Sequence, residues 1–491
     1  MLKDNSLLSA GMEPISSPDS KPKVISPWRI RNDVKNLVVY KCITAEVIYK
    51  VLSPVEAIIV PFFNGQNTKI EIYRYWLDIN NASQESINDL TCIFTRVMDI
   101  LEKSEFVSED GELSPTFTDG SDLVPDFKSY SFPVNRLERP ISVSLEITNN
   151  CATDCIYCYA ERLPCRELDF NQIKSIIKDL YENDIYIVDV GGADVFTRWD
   201  AFQILEEMVN HKFVFFLSTK VHITYEAAER LAALGIGIRD AKPHLKRILQ
   251  ISIDSADSEI ASFLVKRRNY LETSVDSVKN CVKAGVYPRI KCVLTSYNAG
   301  AARGLVEKFY PLGVEEFQFV HYGRSFFRHD DSLFLSFEDK LRLIETAGAL
   351  RKEYPQLKFT FQEDKNTGAP IRKSKEQWEN RSICSGGRTS MRMKPNGDIM
   401  LCEQIPHKTE FTMGNLLDSS VVEIWNSNSI RDFLYAPRDM FKDTACEKCI
   451  YFETCHFEKG YCYRDSLSNF NTVFDAPADC PYQSKDGIRQ T

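Results

Sequence analysis

No stretch of this chain approaches the ~18 consecutive apolar residues of a membrane-spanning helix, and the longest apolar run, Ala57 to Phe63, is interrupted by Pro61. The N-terminus, Met1-Leu2-Lys3-Asp4, lacks the apolar core of ~7–15 residues that marks a secretory signal. These absences point to a cytoplasmic protein with no membrane partner. Positive charge is also short. Against 69 Asp and Glu stand 60 Lys and Arg, a net charge of −9, which argues against nucleic-acid binding because that draws on surplus Lys and Arg. With 43% hydrophobic and 26% charged residues the composition is that of a globular chain and not a disordered one. At roughly 150 residues per domain, 491 residues make two to four domains.

What the chain does have is 15 cysteines, unevenly placed. Cys42, Cys92, Cys165, Cys281 and Cys292 are scattered. Cys151, Cys155 and Cys158 form one tight group, and seven more lie between Cys384 and Cys480. In a reducing compartment, clustered cysteines bind metal or do chemistry more often than they form disulfides.

Residues 1–30 are polar, rich in Ser and Pro and without periodicity, and read as a mobile arm. Ser53-Pro54-Val55-Glu56 matches a capping box with proline at the first helical position, and Asn64-Gly65 would end that helix. Thr68 to Ile79 alternates as a strand would, and Ile87, Leu90, Phe94, Val97 and Leu101 recur at helical spacing. Residues 31–107 thus make a small winged-helix-like domain. Eight acids between Glu102 and Asp126 mark an exposed linker over 108–139.

From Pro140 onward strands and helices alternate. Strands are expected at Val143–Ile147, Ile185–Val190, Phe213–Leu217, Ile248–Ile253, Ile290–Leu294 and Phe317–Val320. Helices follow, one capped by Asp169 with the apolar face Ile173, Ile176, Ile177 and Leu180. Six apolar strands alternating with helices imply an α/β fold with a parallel sheet, either open or a full or partial barrel. Active residues then gather at the carboxyl ends of the strands. The cysteine trio falls just after the first strand and a glycine pair just after the second.

Cys151-x3-Cys155-x2-Cys158 places three thiolates on one short loop, enough to hold a cubane iron-sulfur cluster with one iron left open. Structural zinc wants four ligands, and no partner pair stands nearby. The trio after a first β-strand resembles the radical S-adenosylmethionine enzymes, whose 4Fe-4S cluster chelates the methionine moiety of the cofactor. The resemblance implies a partial (β/α)6 barrel over 140–345. It also implies cofactor contacts at Gly191, Gly192, Ala193 and Asp194, where the family has Gly-Gly-Glu-Pro, and at Tyr157, Ser252, Lys291 and Arg324. Val195 stands where proline is usual. No catalytic base is evident; His321 near the end of the sixth strand is placed to face the mouth or to serve in packing.

The second cysteine group opens with Cys384 and Cys402, either side of a hairpin turn at Pro395-Asn396-Gly397-Asp398 between strands Met391–Met393 and Ile399–Leu401. Cys446-x2-Cys449-x5-Cys455, Cys462 and Cys480 follow. Such knuckles can bind zinc. Beside a radical trio they resemble the SPASM extension, here over 383–491 after a bridging region at 346–382. By that resemblance Cys446, Cys449, Cys455 and Cys480 hold one auxiliary 4Fe-4S cluster and Cys384, Cys402 and Cys462 the other, three clusters in all. The six residues between Cys455 and Cys462 depart from the family's usual three. Glu403, His456, water or a substrate thiolate would supply the missing fourth ligand.

The N-terminal domain resembles the peptide-recognition domain of maturases of ribosomally made peptides, implying a precursor whose leader it binds. A low-potential electron donor such as flavodoxin or ferredoxin is implied as well. The reading that follows is a radical enzyme installing a crosslink in a precursor peptide, a Cys-sulfur-to-carbon thioether above all. Carbon–carbon crosslinking, a sulfatase-type maturase and a cluster- or zinc-binding interaction protein are the alternatives.

Overall fold

The computed structural model describes residues 15–33, 35–43, 46–117, 123, 125, 127–132, 135–362 and 373–482. It divides into two units, one ending at Arg139 and including Lys242–His244, the other running from Pro140 to Ala241 and onward from Leu245.

In the first unit β1 (Lys23–Val24) pairs with β5 (Val107–Ser108), and β2 (Arg29–Asn32), β3 (Leu37–Ile43) and β4 (Glu46–Val51) form an antiparallel sheet in the order β2-β3-β4. Three helices follow β4: α1 (Pro54–Ile59), α2 (Lys69–Ile79) and α3 (Ile87–Glu102). The capping box at Ser53 and Glu56 forms as its sequence implies. The strand expected over Thr68–Ile79 is instead α2. Thr68 and Glu71 cap it reciprocally, and Lys69, Ile72, Tyr73, Trp76 and Leu77 are buried at helical spacing. The first 30 residues are not a free arm throughout, since Ile15, Val24 and Trp28 are buried in this unit's core. Described parts of the expected linker also pack here. Thr116 Oγ1 accepts from the Ile30 amide at 2.8 Å, and Tyr130 donates to the Leu52 carbonyl at 2.7 Å.

In the second unit seven parallel strands lie in chain order across one sheet: β6 (Ser142–Glu146), β7 (Ile187–Gly191), β8 (Val214–Thr219), β9 (Arg247–Ser252), β10 (Arg289–Leu294), β11 (Glu316–His321) and β12 (Lys358–Phe361). The first six are those expected; β12 is added from the bridging region. Helices α4 (Phe170–Glu182), α5 (Ala201–Asn210), α6 (Tyr225–Ala233), α7 (Ser258–Val265), α8 (Tyr270–Lys283), α9 (Ala301–Phe309) and α10 (Phe337–Glu353) connect them. Residues of one parity, such as Val143, Leu145, Val188, Val190, Leu217, Leu249, Cys292 and Phe319, are buried in the core with the helices. The other parity carries Ser144, Glu146, Asp189, Ser218, Gln250, Ser252, Lys291 and Gln318 on the inner face. One strand face is therefore apolar and the other chemical.

The hairpin β13 (Ser390–Met393) and β14 (Asp398–Met400) forms as expected, followed by β15 (Gly414–Asn415). It is not separate from the core. β13 pairs in parallel with β6, Ser390 opposite Ser142 and Met393 opposite Leu145, so the cysteine-rich extension continues the same sheet. The sheet has two ends, β12 and β15, and stays a partial barrel.

Candidate active site and iron-sulfur centres

The trio loop leaves β6 at Glu146 and is anchored by hydrogen bonds from two directions. Asp154 and Ile156 amides bond to the Val265 and Leu264 carbonyls at 3.1 and 2.9 Å. Arg328, in the segment after β11, donates from Nη1 to the carbonyls of Asp154 (3.1 Å) and Cys155 (3.0 Å), and Nη2 pairs with the Asp154 carboxylate. That guanidinium, then Lys266, holds Asp154 below the usual carboxylate range. Arg324, expected as a cofactor contact, is exposed and pairs with Asp331 at 3.3 Å. The arginine that reaches the cysteine loop lies four positions on.

Tyr157 is buried, and its hydroxyl donates to Asp254 Oδ2. Asp254 also accepts from the Val293 amide at 2.9 Å and lies 3.4 Å from Lys220 Nζ, which donates to the Ser252 carbonyl at 3.2 Å. The ring between Cys155 and Cys158 is thereby anchored to the ends of β8, β9 and β10. Neither Lys220 nor Asp254 was expected from the sequence; both stand just past the end of an apolar strand, where a charged residue is ordinarily solvated.

Gly191 and Gly192 turn the chain at the end of β7. Gly192 has φ +84°, and a Cβ there would lie 2.9 Å from Glu146 Cγ, so only glycine brings this backbone against Glu146. Ala193 is half-buried beside them. Asp194 is buried and accepts from Thr219 Oγ1 (2.9 Å) and from the amides of Lys220 (2.7 Å), Val221 (3.2 Å) and Phe196 (3.2 Å). Its carboxylate thus ties the β7 loop to the end of β8. Ser252 and Lys291 are register neighbours on the inner face. Burial lowers the Lys291 pKa. His321 is the register neighbour of Leu294, which is buried in the helix-facing core; the histidine therefore points to the helix side and away from the inner face.

A buried ionic network crosses the inner face. Arg392 on β13 bonds to Glu146 Oε1 at 3.1 Å and to Glu403, and Lys394 holds Glu146 Oε2 at 2.9 Å. Asp189 nearby is open to solvent yet walled in by protein, and burial raises its pKa. The network runs from the strand that precedes the trio to Glu403, the residue after Cys402.

All 15 cysteines are free thiols. Cys446, Cys449, Cys455 and Cys480 line one cavity together with Trp378, Phe452 and His456. The pKa of the Cys446 thiol is raised, first by burial and then by its three neighbours. Cys384, Cys402 and Cys462 form a second group: burial and then Cys384 push up Cys402, and burial, then Asp465 and lastly Cys384 push up Cys462, to about 12. Tyr463 Oη lies 3.7 Å from Cys384 Sγ. Among the described residues no three or more His, Cys, Asp or Glu side chains are grouped closely enough to hold a metal ion; Cys446, Cys449, Cys455 and Cys480 wall a cavity instead. Grouped, buried thiols that ionise when iron binds suit iron-sulfur clusters, and the glycine-lined inner face beside the trio suits a bound cofactor. Cys281 and Cys292 are buried core residues, and Cys165 Sγ lies 3.3 Å from Asn149 Nδ2.

Strand order and the trio loop at the end of β6 agree with what the radical S-adenosylmethionine resemblance implies. The radical SAM superfamily pattern matches residues 145–298, and an iron-sulfur cluster-binding SPASM domain matches 384–450. The chain therefore carries a radical SAM core with a SPASM extension. It is 25% identical over 331 residues to mycofactocin maturase of Mycolicibacterium smegmatis, covering 65% of this chain and 78% of that protein. It is 22% identical over 302 residues to PqqA peptide cyclase of Xanthomonas oryzae, covering 59% and 74%. Streptococcus suis SuiB, solved bound to its precursor peptide SuiA, superposes with a TM-score of 0.63 at 17% identity, over 96% of this chain and all of that one. Among the described residues no helix is long and apolar enough to cross a membrane.

Proposed function

We propose that this protein is a peptide maturase that removes hydrogen from a ribosomally made precursor and closes a thioether between a cysteine sulfur and a carbon. The observation that carries the reading is the thiol inventory: four cysteines share one cavity, and only three form the second group. Glu403, a candidate fourth ligand, is held by Arg392, and His456 lines the four-cysteine cavity instead. A substrate cysteine is then the ligand chemically suited to the remaining place. The relatives that share the core are named for maturation or cyclisation of peptides.

Cys151, Cys155 and Cys158 would hold the cofactor-binding cluster, and Cys446, Cys449, Cys455 and Cys480, with Cys384, Cys402 and Cys462, two auxiliary ones. With the cofactor bound, the trio centre supplies a 5′-deoxyadenosyl radical. The protein's own part is positional. Arg328 fixes the trio loop, Asp194 closes the β7 loop, and Gly191, Gly192, Ser252 and Lys291 would offer a cradle, Lys291 for a carboxylate. Arg392 and Lys394 neutralise Glu146 and so keep the inner face ordered between the two regions. Closing C–S from C–H and S–H releases two hydrogens, one to the radical and one as a proton, with one electron left for an auxiliary centre or its acceptor. Flavodoxin or ferredoxin would deliver the low-potential electron that starts the cycle.

The leader would pair with β4. This strand is one of the two outer strands of the sheet, half-buried with Ile48 exposed, whereas the other, β2, is mostly buried; edge addition needs only backbone groups, with alternate side chains adding selectivity. Successive amides of a strand point to opposite sides. Of the variants Ile48→Pro and Tyr49→Pro, one should therefore weaken precursor binding while cofactor cleavage persists; if neither does, the leader binds elsewhere.

The reaction is tested with reconstituted enzyme and any small cysteine-containing peptide that is found encoded beside it. The product should be lighter by two hydrogens, and one of its cysteines should resist alkylation. Loss of two hydrogens with every cysteine alkylatable would instead mean a carbon–carbon crosslink. Cys155→Ala should abolish 5′-deoxyadenosine formation, and Cys449→Ala should spare some of it while stopping product; wild-type behaviour in both would refute the scheme.

A further inference from the structure

The segment Cys455–Cys462 is longer than its family pattern, and the structure shows what the extra residues build. Thr454–Lys459 forms a π-helical turn, a wide turn found frequently at functional positions. It carries His456 inward to 3% exposure, with Nε2 3.4 Å from Cys446 Sγ. The ring is clamped by Phe452 (4.3 Å between centroids), Tyr461 (4.3 Å) and Phe441 (4.5 Å). Its Nδ1 is buried with no hydrogen-bond partner among the described residues. The backbone of the turn is held in turn: fully buried Arg388 donates to the carbonyls of His456 (2.9 Å) and Phe457 (3.1 Å). A second donor meets the same thiol group from outside the turn. Arg381 Nη2 lies 3.2 Å from Cys455 Sγ, and also donates to the Cys455 and Gly460 carbonyls at 3.3 and 3.0 Å.

An imidazole locked by three aromatic rings, with one nitrogen on a sulfur and the other facing nothing, is poorly explained as packing; a phenylalanine would fill that space without burying a polar atom. We propose that the lengthened Cys455–Cys462 turn exists to place His456 as an N–H donor to the Cys446 sulfur, and that His456 and Arg381 together raise the reduction potential of the four-cysteine centre. The physical reason is charge. Reduction adds negative charge that spreads onto the ligand sulfurs, and N–H groups aimed at those sulfurs stabilise the reduced form more than the oxidised one. The three-cysteine group meets other donors, the Tyr463 hydroxyl 3.7 Å from Cys384 Sγ and the backbone N–H groups of Gln404 at Cys402 and Asp465 at Cys462. With His456 and Arg381 in place the four-cysteine centre has a higher potential than it would have without them, which suits it to accept the electron left by crosslinking. His456 acts here as a positioning and tuning residue, not as a ligand.

This inference rests on the assignment of a cluster to Cys446, Cys449, Cys455 and Cys480. The test uses full-length protein with the trio cysteines replaced by Ala, so that only auxiliary centres contribute to the spectrum, followed by EPR-monitored redox titration. His456→Phe should keep the iron content and move the midpoint of one auxiliary signal to lower potential. Arg381→Met should move the same signal the same way, and the signal affected should be the one that Cys480→Ala removes. An unchanged midpoint in His456→Phe at unchanged iron content overturns the proposal. Should His456→Phe lose iron, protein labelled with 15N-histidine decides the matter: a 15N hyperfine coupling on the reduced signal supports the contact, and its absence overturns it. If Cys480→Ala removes no signal and no iron, it is the cluster assignment that has failed.

Discussion

Replacing Arg328 by methionine should loosen the trio loop without touching a sulfur. Two of its bonds go to backbone carbonyls, those of Asp154 and Cys155, and one to the Asp154 carboxylate. Hydrogen bonds from a charged donor contribute about 1.5–3 kcal/mol each. The guanidinium is 27% exposed and the carboxylate 49% exposed, so solvent screening holds the ion-pair share to about 0–1 kcal/mol. The carbonyl bonds then carry about 3 kcal/mol. Part of that anchoring is redundant, because the Asp154 and Ile156 amides bond to Val265 and Leu264 independently. A net loss of about 2 kcal/mol corresponds to a roughly 30-fold larger population of opened loop. When opening is fast relative to capture, loss through the open form follows that population, so iron bound by the trio should pass to a chelator about 30 times faster in Arg328→Met. The variant lacking all three trio cysteines serves as the blank. A release rate within twofold of wild type would refute the anchoring role, and with it the claim that the segment after β11 governs this loop.

Three other outcomes are expected. Asp154 is held below its ordinary value of 3.8 by Arg328, so its contribution is present above that ordinary pKa and disappears as pH falls through the depressed one; wild type and Asp154→Asn should differ in apo-protein denaturation near neutrality and converge in acid. Gly192→Ala forces a Cβ onto Glu146 at a φ of +84°, costing about 1–2 kcal/mol for the backbone alone and more through displaced Glu146; urea denaturation showing a change below about 0.5 kcal/mol would contradict this close approach. Asp194→Ala leaves Thr219 and the Lys220 and Phe196 amides without the Asp194 acceptor, the Val221 amide keeping Thr219 Oγ1, an expected loss of about 3 kcal/mol in the same measurement.

The legible part of the fold was local. Period-2 and apolar runs marked six strands, Asp169 and Ser53 marked helix starts, and the cysteine spacings marked both the trio and the extension. A misassigned element, Thr68–Ile79, shows how close the competing signals lie. Over twelve residues its apolar positions fit partial alternation, while the capping pair Thr68 and Glu71 and the buried set from Lys69 to Leu77 fit a helix. Weighing the capping pair first, as at Ser53 and Glu56, would have corrected it. The site was legible as an inventory only. Gly191, Gly192, Ser252 and Lys291 do share one region, Tyr157 and Asp194 are tied into hydrogen-bond networks, and Arg324 stands apart. Arg328, Lys220, Asp254 and the Glu146–Arg392–Glu403 network carried no motif, because single charged residues near strand ends look alike until the strands are assembled.

The sequence by itself determined the elements and the chemistry available to them, since hydrophobic period, capping and ligand spacing act within about ten residues along the chain. Only the tertiary structure decided which thiols share a cavity, that β13 joins β6 in one sheet, and that a lengthened turn delivers His456 to Cys446. The physical reason is separation. Arg392 meets Glu146 across 246 residues of chain, and Arg328 meets Cys155 across 173. Such pairs are set by closure of the whole sheet, and the residues on either side of them show no local preference that would announce the contact.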